Sequence, residues 1–282
     1  MTTIAIFPNL LKKNAMSVAK DITKYLKQKA VRVVAPQDVA ASVDADSLED
    51  IDGNSVNYLI SIGGDGTILR LVHSYPHLKA PILGINMGSL GFLADVPNTD
   101  VNQSLDDLLS KKYKVLKRMI IEGQTQSGQT FFAVNDIVLH RAKNPSLIDL
   151  RIEVDGRYLN TFSADGLIIS TPSGSTAYSL SAGGPIVTPD LKAVVITPIC
   201  PHAISNRPIV LMPSTNIVIK LISDHEPIEI SYDGISGVSL AMNEELVLKA
   251  SSNTFCLLTL DRNEYYSTLR SKLGWTGKLK HN

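Results

Sequence analysis

The stretch Tyr58-Leu59-Ile60-Ser61-Ile62-Gly63-Gly64-Asp65-Gly66-Thr67-Ile68-Leu69-Arg70-Leu71-Val72 decides the reading of this chain. Tyr58 to Ile62 is an apolar, strand-like run, and Ile68 to Val72 reads as the start of a helix. Between them, three glycines surround one carboxylate. Glycine lets the backbone bend and approach a ligand where a side chain would clash. A turn from strand into helix presents backbone N–H groups that suit phosphate. Asp65 is out of place in such a loop, because a carboxylate repels phosphate. Taking a proton from a hydroxyl is the simplest work it could do. An ordinary turn with an Asp cap would look similar in isolation. The stretch is neither the G-x-G-x-x-G fingerprint nor a P-loop, which needs a Lys-Ser/Thr pair.

Working outward, the first third alternates strand and helix patterns. Ile4–Phe7 and Val31–Val34 read as strands. Ala15, Val18, Ala19, Ile22, Tyr25 and Leu26 recur at helical spacing, with a lysine-rich face that reads as solvated. Val39 to Val56 is polar and weakly patterned, and reads as a loop over the sheet edge. Asn57–Ile62 and Pro81–Asn86 supply two more strands. Such alternation implies a Rossmann-like parallel sheet with both faces covered. Ligands on such sheets bind at the carboxyl ends of the strands. The Gly63–Thr67 loop and the loop Gly88-Ser89-Leu90-Gly91-Phe92 both fall there.

After Tyr113 the texture becomes β-rich. The runs are Tyr113–Glu122, Thr130–His140, Leu147–Val154, Gly166–Ser170, Ala193–Pro198, Ile217–Ile222, Ile228–Ser231 and Glu245–Ala250. Asp155-Gly156 between two such runs signals a hairpin. The last stretch, Asn263–Leu273, regains helical character, with Tyr266, Leu269 and Leu273 spaced for one face and Trp275 as an anchor in a groove. The expected organisation is an α/β domain over 1–113, joined by a returning tail at 262–282, and an all-β domain over 114–261.

Composition narrows the function. Basic and acidic residues balance at 27 each, so no basic field holds a nucleic-acid backbone. Two cysteines, Cys200 and Cys256, argue against a disulfide framework and fit a reducing, cytoplasmic setting. The opening residues do not read as a signal peptide, and no apolar run reaches the length of a membrane span.

Two further stretches carry chemistry. Asp165-Gly166 through Gly184-Pro185 crowds hydroxyls and glycines (Ser170-Thr171-Pro172-Ser173-Gly174-Ser175-Thr176-Ala177-Tyr178-Ser179-Leu180-Ser181) beside an apolar strand. Its Leu-Ile-Ile and Ala-Tyr-Ser-Leu segments are foreign to a linker. It reads either as a complex turn held by side-chain to backbone bonds or as a neutral polar pocket for ribose hydroxyls and base edges. In the pocket reading Tyr178 is an aromatic wall and Asp165 an acceptor. Asn135-Asp136 interrupts the apolar run Phe132–Leu139. It reads as a bulge or as an amide and carboxylate suited to a ribose diol. Ser17-Val18-Ala19-Lys20 has the S-x-x-K spacing without its partner motifs. His140 and His202 lack the spacing of a zinc site, and no metal-ligating set is assigned.

Gly63–Thr67, Asn135-Asp136 and Asp165–Pro185 stand in the order and rough spacing of the NAD kinases, which the chain resembles over nearly its whole length, most of all the bacterial branch. The blocks Thr197–Pro208 and Thr268–Trp275 add to the likeness. The resemblance implies transfer of a terminal phosphoryl group from ATP, another nucleotide or polyphosphate to the 2′-hydroxyl of the adenosine ribose of NAD, giving NADP. It makes Asp65 the general base, and places Gly63, Gly64, Gly66 and Thr67 near donor phosphates. Phe92 packs on a base in that family. Asn135, Asp136, Asp165, Thr176, Ala177, Tyr178 and Ser181 would line the dinucleotide site. The family also implies Mg²⁺ carried by the donor, and a homodimer or homotetramer in which residues of neighbouring subunits meet. Asp136 departs from the Glu more usual in the family, and Ser163 is uncharged where some members are basic. Two other classes share parts of the pattern. A lipid or sugar kinase would use the glycine-aspartate loop without the Asp165–Pro185 block. A non-catalytic NAD(P) sensor would bind dinucleotide without forming NADP.

Overall fold

The computed structural model describes residues 1–203, 205–213, 215–224 and 226–275. The chain forms two compact units, Met1–Lys117 with Cys256–Asn282 (described as far as Trp275), and Arg118–Phe255. Of the expected tail, 262–282, residues 276–282 lie outside the described residues.

The first unit is α/β. Its parallel strands run in the order Asp46–Ser47, Arg32–Ala35, Thr3–Pro8, Tyr58–Gly63 and Ile82–Asn86. Their centres are buried on both faces, which is why they read as continuous apolar runs rather than alternating ones. The helix Ala15–Gln28 covers the sheet with Ala15, Ala19, Ile22 and Leu26, all fully buried. The Val39–Val56 stretch differs from expectation. It holds a one-turn helix, Gln37–Ala40, and the short strand Asp46–Ser47, which extends the sheet by pairing with Val34 and Ala35. Val39, Val43, Leu48 and Val56 are buried, but each element is about a turn long, so no period builds up. A helix at Val101–Leu109, buried through Leu105 and Leu108, adds to the same core.

The chain returns to this unit along the strand Glu245–Leu260, whose Leu257 pairs in parallel with Ile82. The expected strand ended at Ala250. The polar residues Ser251-Ser252-Asn253-Thr254 break the apolar pattern while the backbone stays extended. The final helix, Tyr265–Leu273, buries Thr268 and Leu269, with Tyr265 half-buried beside them. Of the expected face, Leu269 is buried and Leu273 half-buried, but Tyr266 is 54% exposed and Tyr265 takes its place; Trp275 is also 54% exposed and is not anchored in a groove.

The second unit is built of antiparallel sheets. One runs Ile209–Leu211, Val194–Ile199, Gly166–Ser170, Asp136–His140, Ile228–Tyr232, Ile235–Leu240. The other includes Arg157–Ala164, Ile148–Val154 and Ile217–Leu221. One core joins them, with Ile137, Leu139, Leu167 and Ile169 on one side and Leu150, Ile152, Phe162 and Ile219 on the other. Two hairpins turn on Asp-Gly pairs. Asp155 and Gly156, and Asp233 and Gly234, all have positive φ, as the tightest hairpin turn requires.

Candidate functional site

The order of parallel strands in the first unit reverses beside Thr3–Pro8, because Arg32–Ala35 flanks it on one side and Tyr58–Gly63 on the other. Open α/β sheets bind ligands at the carboxyl ends of strands at such a reversal. Asn9 and the Gly63–Thr67 loop stand at this end. Asn9 N–H donates to the Ile62 carbonyl at 2.8 Å, and Asn9 Nδ2 donates to Thr67 Oγ1 at 3.1 Å. A Cβ at Gly63 would overlap Thr67 Oγ1, so glycine is needed there for packing. Gly64 and Gly66 instead have open space where a side chain would stand. Those two glycines leave room for a ligand to approach the backbone.

Asp65 opens the helix Asp65–Ser74. Its carboxylate accepts three backbone N–H bonds from the next loop: Phe92 to Oδ2 at 2.9 Å, Leu93 to Oδ1 at 3.0 Å, and Ala94 to Oδ1 at 2.9 Å. Gly91 lies directly against it, with no room for a Cβ. Asn86 shapes the same loop, donating to the Ala94 carbonyl at 3.2 Å and accepting from Gly88 N–H at 2.7 Å. A carboxylate has about four acceptor positions. Oδ1 takes two N–H groups and Oδ2 takes one, so Oδ2 keeps an acceptor position. Sequence reasoning singled out Asp65 but missed its dependence on Gly91, Leu93 and Ala94. The half-buried Phe92 meets the Tyr265 ring at 6.1 Å between centroids.

In the second unit, the expected single strand Thr130–His140 breaks into Thr130–Ala133 and Asp136–His140. The break is held by Asp233 of the second Asp-Gly turn. Its carboxylate accepts from Val134 N–H at 2.7 Å, Asn135 N–H at 2.7 Å and Asp136 N–H at 3.2 Å. Burial, then the nearby Asp233 charge, pushes the Asp136 carboxyl up to about 7, while a bond from Tyr178 N–H opposes the rise. Asn135 Oδ1 is buried without a hydrogen-bond partner.

The hydroxyl-rich stretch wraps onto this break. Thr171 donates through Oγ1 to the Val134 carbonyl at 2.6 Å and through N–H to the Asn135 carbonyl at 2.8 Å. A Cβ at Gly174 would overlap the Asn135 carbonyl oxygen. Ser175 bridges Pro172 and Val187, and Ser179 bonds Thr197 at 2.9 Å. These buried hydroxyls shape the turn. Thr176 and Ala177 are half-buried, as are Ser173 and Leu180, and Tyr178 and Ser181 are exposed. Asn135, Asp136 and Tyr178 therefore come together. Asp165 does not join them. It precedes the strand Gly166–Ser170, whose far end, Ser170, pairs with Asp136. That is on the order of 15 Å away along the strand. There its carboxylate pairs with Arg141 Nε at 2.7 Å.

The family comparisons now decide the relationship. The ATP-NAD kinase N-terminal domain matches residues 4–113, and the ATP-NAD kinase C-terminal domain matches residues 134–260. The chain belongs to the ATP-NAD kinase family. It is 55% identical over 277 residues to the NAD kinase of Protochlamydia amoebophila, covering 98% of this chain and 99% of that one. Among solved structures, a yeast NADH kinase complexed with NADH superposes with a TM-score of 0.88 at 29% identity, covering 100% of this chain and 90% of that one. An NAD kinase from Archaeoglobus fulgidus in complex with ATP shares the fold, with a TM-score of 0.76 at 24% identity, covering 97% and 99%.

The expectation of a phosphotransferase with an α/β first domain and a β-rich second one is thus met. Among the described residues no helix is long and apolar enough to cross a membrane.

Proposed function

We propose that the protein transfers a terminal phosphoryl group from ATP, or from another nucleotide or polyphosphate, to the 2′-hydroxyl of the adenosine ribose of NAD, giving NADP. The observation that carries the assignment of roles is the Asp65 carboxylate, braced by three N–H groups and retaining one acceptor position on Oδ2. The substrate hydroxyl donates to Oδ2. Held in one direction by three N–H groups, the carboxylate contributes first by orienting the hydroxyl. Phosphoryl transfer has a loose transition state in most analyses and depends mainly on positioning, so the proton need move to Oδ2 only late. Gly63, Gly64, Gly66 and Thr67 approach the donor phosphates, with the open space at Gly64 and Gly66 supporting that reading.

In the second unit Asn135 Oδ1, a buried acceptor without a donor, suits a ribose hydroxyl. Asp136, Thr176, Ala177, Tyr178 and Ser181 complete the dinucleotide surface, and Phe92 packs on a base. Asp165, at the other end of its strand, takes part as the residue of a neighbouring subunit in a homodimer or homotetramer. Among the described residues no three His, Cys, Asp or Glu side chains stand together as a cation cage. The donor set fits a divalent ion such as Mg²⁺ only as part of the donor complex, held by phosphates and water. The reaction is assigned to the cytoplasm.

The test is Asp65→Asn with ATP, Mg²⁺ and NAD. Turnover should fall by at least about 10²-fold, the lower end of general-base catalysis, with the KM for NAD nearly unchanged. Near-normal turnover removes Asp65 from the role. NADP formation with NAD, and no phosphorylation of a diacylglycerol acceptor, separates this reading from a lipid kinase.

A further inference from the structure

The loop that grips Asp65 is itself gripped from its other side by the end of the chain. Phe92, Leu93 and Ala94 give their N–H groups to Asp65. Phe92 also presents its ring to Tyr265, tilted at 48°. The next residue, Asp95, accepts from Thr259 Oγ1 at 2.9 Å through its carboxylate and from Asn263 Nδ2 at 3.2 Å through its carbonyl. Lys272 Nζ reaches Ser89 Oγ at 3.3 Å at the start of the loop. The tail has a foothold of its own on the helix Val101–Leu109. Arg262 pairs with Asp100 at 2.9 Å and Asp107 at 3.2 Å and donates to Ser104 Oγ at 2.5 Å. Asp107 is largely buried, so this pair is screened less than a surface pair.

We infer that Tyr265 is a positioning residue for phosphoryl transfer: its ring, at the start of the helix that follows the Arg262 foothold, fixes Phe92 and so fixes the direction of the Asp65 carboxylate. The inference rests on the reading of Asp65 as the group that receives the substrate hydroxyl. The physical argument is one of stiffness. Gly91 N–H closes the loop onto the Ala94 carbonyl at 3.0 Å, and Asn86 holds that same carbonyl from the strand, which leaves the Phe92 and Asp95 flanks to be held from outside. Contact with Tyr265 and bonds to Asp95 supply that hold on the two flanks of Leu93 and Ala94. An Asp65 displaced by even about 1 Å loses catalytic geometry worth about 10²-fold. Tyr265 touches no reacting atom in this scheme and acts only through Phe92.

The experiment is a cycle on the full chain. Tyr265→Ala and Tyr265→Leu are each made alone and with Asp65→Asn, with Tyr265→Phe as the conservative control. We expect Tyr265→Ala and Tyr265→Leu to lower kcat about 10- to 100-fold with the KM for NAD within about twofold. Tyr265→Phe, which keeps the ring contact, should retain more kcat than Tyr265→Leu. In the Asp65→Asn background the loss on replacing Tyr265 should shrink to near one, because the two residues act as a unit. Equal losses in both backgrounds would overturn the inference and leave the reading of Asp65 intact. Normal kcat in Asp65→Asn itself would overturn both. Tyr265→Leu keeps bulk at the site, and urea midpoints for each variant identify a loss caused by unfolding. Normal kcat in folded Tyr265→Ala and Tyr265→Leu also overturns it.

Discussion

Gly91 and Asp65 share one space: a Cβ on Gly91 would overlap Asp65 Oδ1 and stand 2.6 Å from its Cγ. The glycine has φ outside the left-handed region, so its role here is room rather than backbone freedom. Gly91→Ala should drive the carboxylate off its three N–H donors. We expect turnover to fall by about 10²-fold or more and stability to fall by about 1–3 kcal/mol. Steady-state kinetics and a urea titration check this together. Full activity in the variant would show that the carboxylate works without its clamp.

Asp233 is the corresponding clamp of the second unit. Asp233→Ala removes the acceptor of three backbone N–H groups. Leaving such donors buried and unmet costs about 1–3 kcal/mol each, and water entering the break reduces the total. The urea midpoint should drop clearly. Because Asn135 and Asp136 lose their hold, the KM for NAD should rise more than kcat falls. A variant of normal stability would show that the turn at Asp233-Gly234 stands without its grip on the break.

Asp136 makes stability depend on pH. Its carboxyl is pushed up to about 7 by burial and by Asp233, against about 4 when unfolded. Between those values the folded state binds more protons than the unfolded state, so stability falls as pH rises. The stabilising contribution is whole below about pH 4 and gone above about pH 7, a loss of up to about 4 kcal/mol. Asp136→Asn should flatten this slope between pH 5 and pH 8, read from urea midpoints at each pH. A slope equal to wild type would locate the titration elsewhere.

Asp165→Ala should raise the KM for NAD with little change in kcat, and it also removes the carboxylate partner of Arg141, which keeps its bond to the Asn144 carbonyl. Since Asp165 stands far along its strand from Asp136, its effect on NAD in the proposed scheme comes through a second subunit. Measuring the KM against protein concentration checks that. A KM that stays normal for Asp165→Ala removes the residue from the site.

The strand-to-helix loop was legible because its chemistry is local: five consecutive residues carry the glycines and the carboxylate. The hairpin at Asp155-Gly156 was legible for the same reason. Asp233-Gly234 carries the same turn signal between Tyr232 and Ile235, yet its grip on Val134 bridges 99 positions, which no local pattern records. The turn could have been read from the dipeptide, the grip could not. Tyr265 was passed over for Tyr266 because one residue of helical phase cannot be set from three apolar positions in so short a helix. Asp165 was grouped with Tyr178 because they are close in sequence, whereas an extended strand carries them apart.

The return of the chain along Glu245–Leu260 also sets an order of assembly. Asp95 must find Thr259, 164 positions further on, and Ile82 must find Leu257. Contacts of such long span close slowly, because a large loop has to be ordered first. During synthesis the loop that grips Asp65 is made early, but its outer supports emerge only after the whole of the second unit. Capacity for chemistry would then arrive late in the life of each new chain, and a chain interrupted before Thr259 would carry the carboxylate and its three N–H donors without the contacts that hold the loop from outside.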